Sequence, residues 1–284
     1  MQVIFPENAW AAISPVFDKI RSNLSAEGIY LLSFIRHKAA MESIFISGPS
    51  EEHSIGAFNI LILTNDGEQR EQEEIQDIVE NRLGLEIPVT AFVLPAKQFR
   101  RWFKDGHPFA KNVIRNCKIF YDAGNVPMIH PKEDNEADSK LMLKKDFNQN
   151  LGKVVEFLAG AELYIVRKQY ELAAFHLHQA AEQAYSGIIR LKMGLQVQTH
   201  NIDKLYRYSK YLVPGLKELF PRDLENEKKL FQSLQRAYIG GRYKIDFSIG
   251  SLVAIQLYER IKKLLTICQE LGQEQLVVSR SETA

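Results

Sequence analysis

Only two cysteines occur in the 284 residues, Cys117 and Cys268, and they fall in different halves of the chain. That excludes a disulfide framework and points to a reducing compartment. Long apolar runs are missing too. Ile29–Phe34 and Ile60–Leu63 are the longest, far short of the ~20 residues needed to cross a bilayer. The opening residues, MQVIFPENAW, hold no basic segment followed by an apolar one. No secretion signal is read there, and a cytoplasmic protein with no membrane partner is expected. The chain has no internal repeat and no low-complexity tract. No histidine follows His200, so an imidazole acid or base is missing from everything after it.

What is present is the balance of a chain that buries a core, 45% apolar and 25% charged. The length favours two domains. A net charge of +1 conceals an asymmetry. Residues 1–122 hold 13 lysines and arginines against 16 acidic residues, whereas residues 141–273 hold 20 against 13. The second half is the basic one. Such an excess attracts phosphates, or is simply a solvated surface.

The first 122 residues mix strand and helix signals. Trp10, Ile13, Phe17, Ile20 and Leu24 recur at helical spacing. Gly28–Ile35, Met41–Ser47 and Ala57–Thr64 read as strands. Asn65-Asp66-Gly67 is a turn, and Asp66 or Gly67 opens an acidic helix through about Leu83. Glu86–Leu94 reads as a strand, with Pro88 at its start or at an edge. Two short helices flank Gly106-His107-Pro108, and Lys118–Asp122 closes the series as a strand. The pattern is a small mixed-sheet α/β domain over 1–122. Residues 123–140 lose periodicity and read as a linker.

From residue 141 to 272 only the helical period remains. Helices are expected at Leu141–Arg167, at Tyr170–Lys192 ending on Gly194, and after Thr199 as N-cap up to Pro214. One or two more fall within 215–239. The last is expected at Phe247–Leu271, with Leu252, Ile255, Leu257, Ile261, Leu264 and Leu265 as its apolar face. Residues 273–284 read as a frayed tail.

In the second of these helices Ala173, Leu177, Ala180, Ala181, Ala184, Ile188 and Leu191 form an apolar stripe. Gln179 and Glu182 lie on a second face that is also suited to burial. A buried carboxylate needs a cation or several donors; Arg236 and Arg242 are the candidates. His176 and His178 project from different faces of the helix and cannot share one metal ion. His178 and Glu182 form an i,i+4 pair that orients the imidazole. His178 is thus a phosphate or base contact, or a hydrogen-bonded interior or dimer-contact histidine. Lys204 and Arg207, interleaved with Tyr208 and Tyr211, present either a phosphate-gripping, base-stacking face or an ordinary solvated one. Gly240-Gly241 before Arg242-Tyr243-Lys244 reads as a turn, the best anion-binding loop in the sequence, although glycines in a helix connection need no ligand to explain them.

The segments FHLHQAAEQAY, THNIDKLY and RAYIGGRYK occur in order over about 75 residues. Together they resemble the HEPN family of nucleotide- and RNA-associated domains. The resemblance implies an all-α up-and-down bundle that often pairs with a second copy of itself, hence a homodimer through the helical domain. It also implies an N-terminal partner like a minimal nucleotidyltransferase palm, in which Gly-Ser and Asp-x-Asp hold phosphate and Mg²⁺. Here Ser33 lacks the preceding glycine, and Asn59 and Leu61 stand where the two aspartates would be. That half therefore reads as a degenerate nucleotidyltransferase-like domain without a metal site. Catalytic family members carry Arg-x4–6-His, yet no histidine follows Arg242. Arg101 and His107 have that spacing but lie in the other domain.

The expectation is a non-catalytic binding protein for a nucleotide or RNA, of a regulatory or toxin–antitoxin and defence type, with no cofactor. Two alternatives stay open: a ribonuclease or nucleotidyltransferase using non-standard residues, and a structural dimerisation module. The candidate ligand-binding residues are His178, Glu182, Arg236, Arg242, Tyr243, Lys244, Lys204 and Arg207.

Overall fold

The computed structural model describes residues 10–41, 50–124 and 136–281, apart from residues 198, 211, 214, 222–223 and 244–246. The chain divides into two compact units, Met1–Asp134 and Asn135–Ala284.

The first unit opens with helix α1 (Trp10–Asn23) and strands β1 (Ala26–Met41) and β2 (Ser50–Thr64). Helix α2 (Gln72–Asp77) runs into a π-helical turn, Ile78–Arg82. Strand β3 (Val89–Pro95), helices α3 (Ala96–Lys104) and α4 (Pro108–Asn116), and strand β4 (Lys118–Asp122) complete it. The four strands form one mixed sheet in the order β3-β2-β1-β4. β1 pairs antiparallel with β2 and β4, while β2 and β3 run parallel. Alternate residues supply the core of one face: Ile29, Leu31, Phe58, Ile60, Ile62, Ala91 and Val93. The helical spacing of Val16, Phe17, Ile20 and Leu24 seats α1 on that layer. On the other face the ring of Phe99 from α3 stacks on Tyr30 of β1 at 6.1 Å.

Several boundaries differ from the sequence reading; β2, for one, begins at Ser50 rather than Ala57. β1 runs to Met41 because β2 pairs with it as far as Met41↔Ser50, which holds even the polar stretch Arg36–Lys38 extended. Residues 42–47 of the strand expected at Met41–Ser47 lie outside the described residues. The acidic helix begins at Gln72, not at Asp66. Asn65 Oδ1 accepts from the Gly67 amide at 2.9 Å, and the Glu68 carboxylate accepts from the amides of Ser25 and Arg70. These bonds hold residues 65–70 in a turn. The Arg70 guanidinium at 2.7 Å keeps the Glu68 carboxyl down at about 2. β3 starts at Val89, just after Pro88, whose carbonyl accepts from the Phe58 amide.

The second unit is all helical: α5 (Glu136–Val166), α6 (Tyr170–Met193), α7 (Ile202–Ser209), α8 (Leu216–Leu219), α9 (Glu225–Tyr243) and α10 (Ser251–Ser281). α6 is the central helix and packs against α5, α7, α9 and α10. Its alanines, buried at 173, 174, 180, 181 and 184, let neighbours approach closely. It stops at Gly194, whose φ of 73° is left-handed and suits a residue without Cβ. No described helix is long and apolar enough to cross a membrane.

Here too the structure corrects details. The N-cap of α7 is Asn201, not Thr199. Asn201 Oδ1 accepts from the amides of Asp203 and Lys204 at 3.0 and 3.2 Å. Thr199 Oγ1 accepts only from the Asn201 amide, one step too early to cap. Asn201→Ala is therefore expected to destabilise the helical unit by about 1 kcal/mol, more than Thr199→Ala does, as read from urea midpoints. In α10 the buried face is Ala254, Leu257, Ile261, Leu264, Cys268 and Leu271, whereas Leu252 and Ile255 are exposed. α10 continues to Ser281 because nothing after Gln273 breaks a helix: no glycine or proline occurs in 273–281.

Candidate functional site

The Gln-Ala-Ala-Glu stretch of α6 places His178 and Glu182 one turn apart on its packed side. His178 is completely buried. Its Nδ1 lies 3.0 Å from the Leu234 carbonyl of α9, a group that only accepts. Nδ1 therefore carries the proton and donates it, which leaves Nε2 as the unprotonated nitrogen. That Nε2 faces Glu182 Oε2 at 3.8 Å, too far for a hydrogen bond. The Leu234 carbonyl, rather than Glu182, orients the ring. Burial pushes the His178 imidazole down to about 4 and keeps it neutral at pH 7. His178 is thus placed inside the helical unit, hydrogen-bonded to α9.

Glu182 is buried as expected, and its described partner is a histidine rather than Arg236. His200, just ahead of α7, donates from Nδ1 to both carboxylate oxygens at 3.1 and 3.2 Å. Arg236 is exposed on α9. The side chains of Arg242 and Tyr243, and all of Lys244, lie outside the described residues. Between the two histidines sits Tyr238 of α9, 5.1 Å from the His178 ring and 4.9 Å from the His200 ring. Such stacking contributes about 0.5–1.5 kcal/mol per pair beyond burial. It fixes the plane of His200, whose side chain is 63% exposed and so reachable from solvent.

Glu182 and His200 border a cleft of about 620 Å³ between α5, α6 and the loop residues Gln196, Val197, Thr199 and His200. Asp146, Gln149, Asn150 and Lys153 of α5 form one wall; Gln183, Ser186 and Arg190 of α6 form the other. Arg190 is held by Asp146 at 3.0 Å and by the Gly194 carbonyl at 2.7 Å, so the left-handed end of α6 helps to position it. Lys153 is exposed. Val197 is the one apolar side chain in the lining. The cleft offers amide and cationic donors with little apolar wall, an arrangement for a polar or charged ligand. Its α5 wall follows the i, i+3, i+4, i+7 helical spacing, a polar stripe that the sequence displays but that belongs to none of the motifs read from it.

The remaining candidates lie elsewhere. Lys204 and Arg207 of α7 do not line the cleft, and Arg207 Nε reaches back to Asp203 at 3.1 Å. Tyr208 is only 3% exposed, so the basic and aromatic face expected on α7 offers no stacking surface at that residue. Tyr211 lies outside the described residues. Gly240 and Gly241 do not form a turn: both are within α9. A Cβ on Gly241 would lie 2.9 Å from the Glu171 carbonyl of α6, and one on Gly240 would collide with the Phe247 ring. The glycines permit close packing, and their amides belong to a helix rather than to an anion loop. His176 points away from this cluster, with Nδ1 bonded to the Leu172 carbonyl and its ring against Phe157 and Tyr164. Among the described residues no three His, Cys, Asp or Glu side chains are placed to hold a metal.

The segments that build this cluster lie within a match to a known domain family. Residues 151–271 match the HEPN domain. The HEPN stretch contains Glu182, His200 and Tyr238, and runs from the end of the α5 wall through most of α10. The chain is also similar in structure to a nucleotidyltransferase-like protein from Exiguobacterium sibiricum 255-15, at 11% identity and a TM-score of 0.32, over 96% of this chain and 79% of that one. No curated protein sequence matches the chain.

In the first unit, Asn59 Nδ2 donates to Ser33 Oγ at 2.6 Å across the β1–β2 pair. Leu61, two residues on, is fully buried opposite Tyr30. The three positions read from the sequence as degenerate metal-site residues therefore hold a neutral hydrogen-bonded pair and a core leucine.

Proposed function

We propose that the protein binds a nucleotide or an RNA through the cleft of its helical unit and serves as a non-catalytic regulatory or toxin–antitoxin-type module. The observation that carries this reading is the cleft lining. Lys153 and the amides of Gln149, Asn150, Gln183 and Gln196 supply donors for phosphate and ribose oxygens, while Arg190 and His200 engage the two carboxylates of the lining, Asp146 and Glu182. The volume is in the range of small-ligand sites, roughly 300–1,000 Å³. The HEPN match and the basic excess of residues 141–273 support the same ligand class.

Titration of the full chain with radiolabelled ATP, GTP and a short RNA at low salt tests it. Binding is expected for at least one of them, and Lys153→Glu is expected to weaken it about tenfold or more. If none of the three binds at 20 mM salt, the reading is wrong. Metal-independent RNA degradation that disappears in His200→Ala would replace it with the nuclease alternative.

A second reading, homodimerisation through the helical unit, rests on exposed apolar side chains of two neighbouring helices. Leu163 and Val166 of α5 and Leu252 and Ile255 of α10 are exposed, on two helices joined by the Tyr258–Glu162 hydrogen bond. Exposed apolar side chains grouped in this way mark interaction sites. Sedimentation equilibrium of wild type against Leu163→Asp distinguishes a dimer from a monomer.

A further inference from the structure

The fixed charges of the cleft cancel. Lys153 and Arg190 supply two cations to its lining, and Asp146 and Glu182 supply two carboxylates. With His200 neutral the lining sums to zero; with His200 protonated it carries one positive charge. The cancellation is also local. Asp146 takes up Arg190 at 3.0 Å, and the Glu182 carboxylate accepts from His200 Nδ1. What the lining can turn toward an anion is therefore Lys153 and, when it is charged, His200.

The hold on His200 gives its other ring nitrogen a defined task. Nδ1 lies 3.1 and 3.2 Å from the two Glu182 oxygens, so the first ring proton sits on Nδ1. Tyr238 stacks on the ring at 4.9 Å and 16°. Glu182 is buried, whereas the His200 side chain is 63% exposed, so the ring is anchored inside and reaches solvent. In the neutral ring Nε2 only accepts, and it meets a phosphate oxygen as one lone pair meets another. A second proton goes to Nε2 and makes it a charged donor. We propose that His200 is the phosphate-reading residue of the cleft, taking up a proton at Nε2 when a phosphate group of a nucleotide or RNA binds. This rests on the cleft being the ligand site. A phosphodiester is then held more tightly in mild acid, while an uncharged nucleoside gains nothing from the proton.

The charged and titratable groups on the elements packed about His200 are Glu182 and His178 of α6, Tyr238 of α9, and Asp203, Lys204 and Arg207 of α7. Across the cleft stand Lys153 and the Asp146–Arg190 pair. Asp203 and Arg207 pair with each other at 3.1 Å. His178 is the other imidazole in this set, and burial holds it down at about 4, so it stays neutral in the folded protein near pH 6.

The test is calorimetric titration of the full chain with a five-residue oligouridine lacking terminal phosphates, at pH 5.5 and 7.5 in 20 mM salt. Neither its phosphodiesters nor its uracils titrate in that range, so a pH effect comes from the protein. Binding is expected to weaken by up to about tenfold from pH 5.5 to 7.5, the factor by which the charged fraction of a free imidazole falls. Titrations at pH 7 in two buffers of different ionisation heat are expected to show net proton uptake on binding. His200→Gln keeps a donor for Glu182 but cannot titrate. It is expected to bind the strand at pH 5.5 as weakly as wild type does at pH 7.5, without proton uptake. Equal wild-type affinity at the two pH values with no proton uptake overturns the inference, as does a wild-type pH dependence in His200→Gln. If that variant does not fold, the wild-type proton count decides. Absence of strand binding at pH 5.5 overturns it as well, and binding of ATP or GTP then shows whether the cleft reading survives.

Discussion

Lowering the pH from 6.5 to 4 is expected to remove about 3 kcal/mol of stability from the helical unit through His178 alone, at ~1.4 kcal/mol for each pH unit crossed. Burial holds its imidazole down at about 4 in the folded protein, against 6.5 in an unfolded chain. Between those values the unfolded chain has taken up a proton that the folded one refuses. The unfolded state binds more protons there, so stability rises with pH across the window. The contribution is complete above pH 6.5 and is lost as pH falls toward 4. Burial is what opposes protonation, and it outweighs the hydrogen bond from Nδ1–H to the Leu234 carbonyl; Glu182, 3.8 Å from Nε2, is already engaged by His200. The measurement is the urea midpoint, followed by the helical circular dichroism signal, at half-unit steps of pH. His178→Asn keeps a donor for the Leu234 carbonyl but cannot titrate, and is expected to flatten the profile between pH 4 and 6.5. Parallel profiles for wild type and His178→Asn would show that His178 does not hold this linkage.

That histidine also marks the limit of what the sequence discloses. The α6 stripe was legible because a 3.6-residue period of alanines and leucines has one physical explanation. Burial of Glu182 followed from its place on a packed face. Its partner did not follow, because charge types predict a cation without saying which one. His200 reaches Glu182 from beyond the end of α6, through a loop whose course depends on the left-handed Gly194 and on capping by Asn201. The nearer-looking choice, Arg236, is carried to the surface by the helical phase of α9. The cleft was likewise written in the polar spacing of Asp146, Gln149, Asn150 and Lys153, but a polar stripe is ambiguous until the opposing wall is known. In the first unit, strand identity was clear from the alternating isoleucines. The turn at Asn65-Asp66-Gly67 was clear as well, but its continuation through Arg70 was not, because that depends on Glu68 capturing the Ser25 amide 43 residues away.

Gly241→Val is expected to destabilise the helical unit by about 3 kcal/mol, and Gly241→Ala by about 1–2 kcal/mol. Helix propensity alone argues the other way, since alanine is favoured over glycine within a helix by ~1 kcal/mol. Packing decides the sign. A Cβ at 241 would meet the Glu171 carbonyl oxygen at 2.9 Å and Phe175 Cβ at 3.0 Å. The first is backbone and cannot rotate aside, so α9 must move away from α6. That movement would separate Leu234 from His178 and Tyr238 from the two histidines, and so would loosen the hold on His200 at the border of the cleft as well as the core. Gly152 of α5 is the internal comparison. It is exposed, and a Cβ there would meet nothing within 4 Å. Gly152→Ala should therefore show the propensity effect unopposed and stabilise by up to about 1 kcal/mol. Opposite signs for the two alanine variants in urea unfolding would establish Gly241 as a contact between helices. Stabilisation by both would mean that α6 and α9 are not packed at this distance, and the His178–Tyr238–His200 stack built on their contact would fall with it.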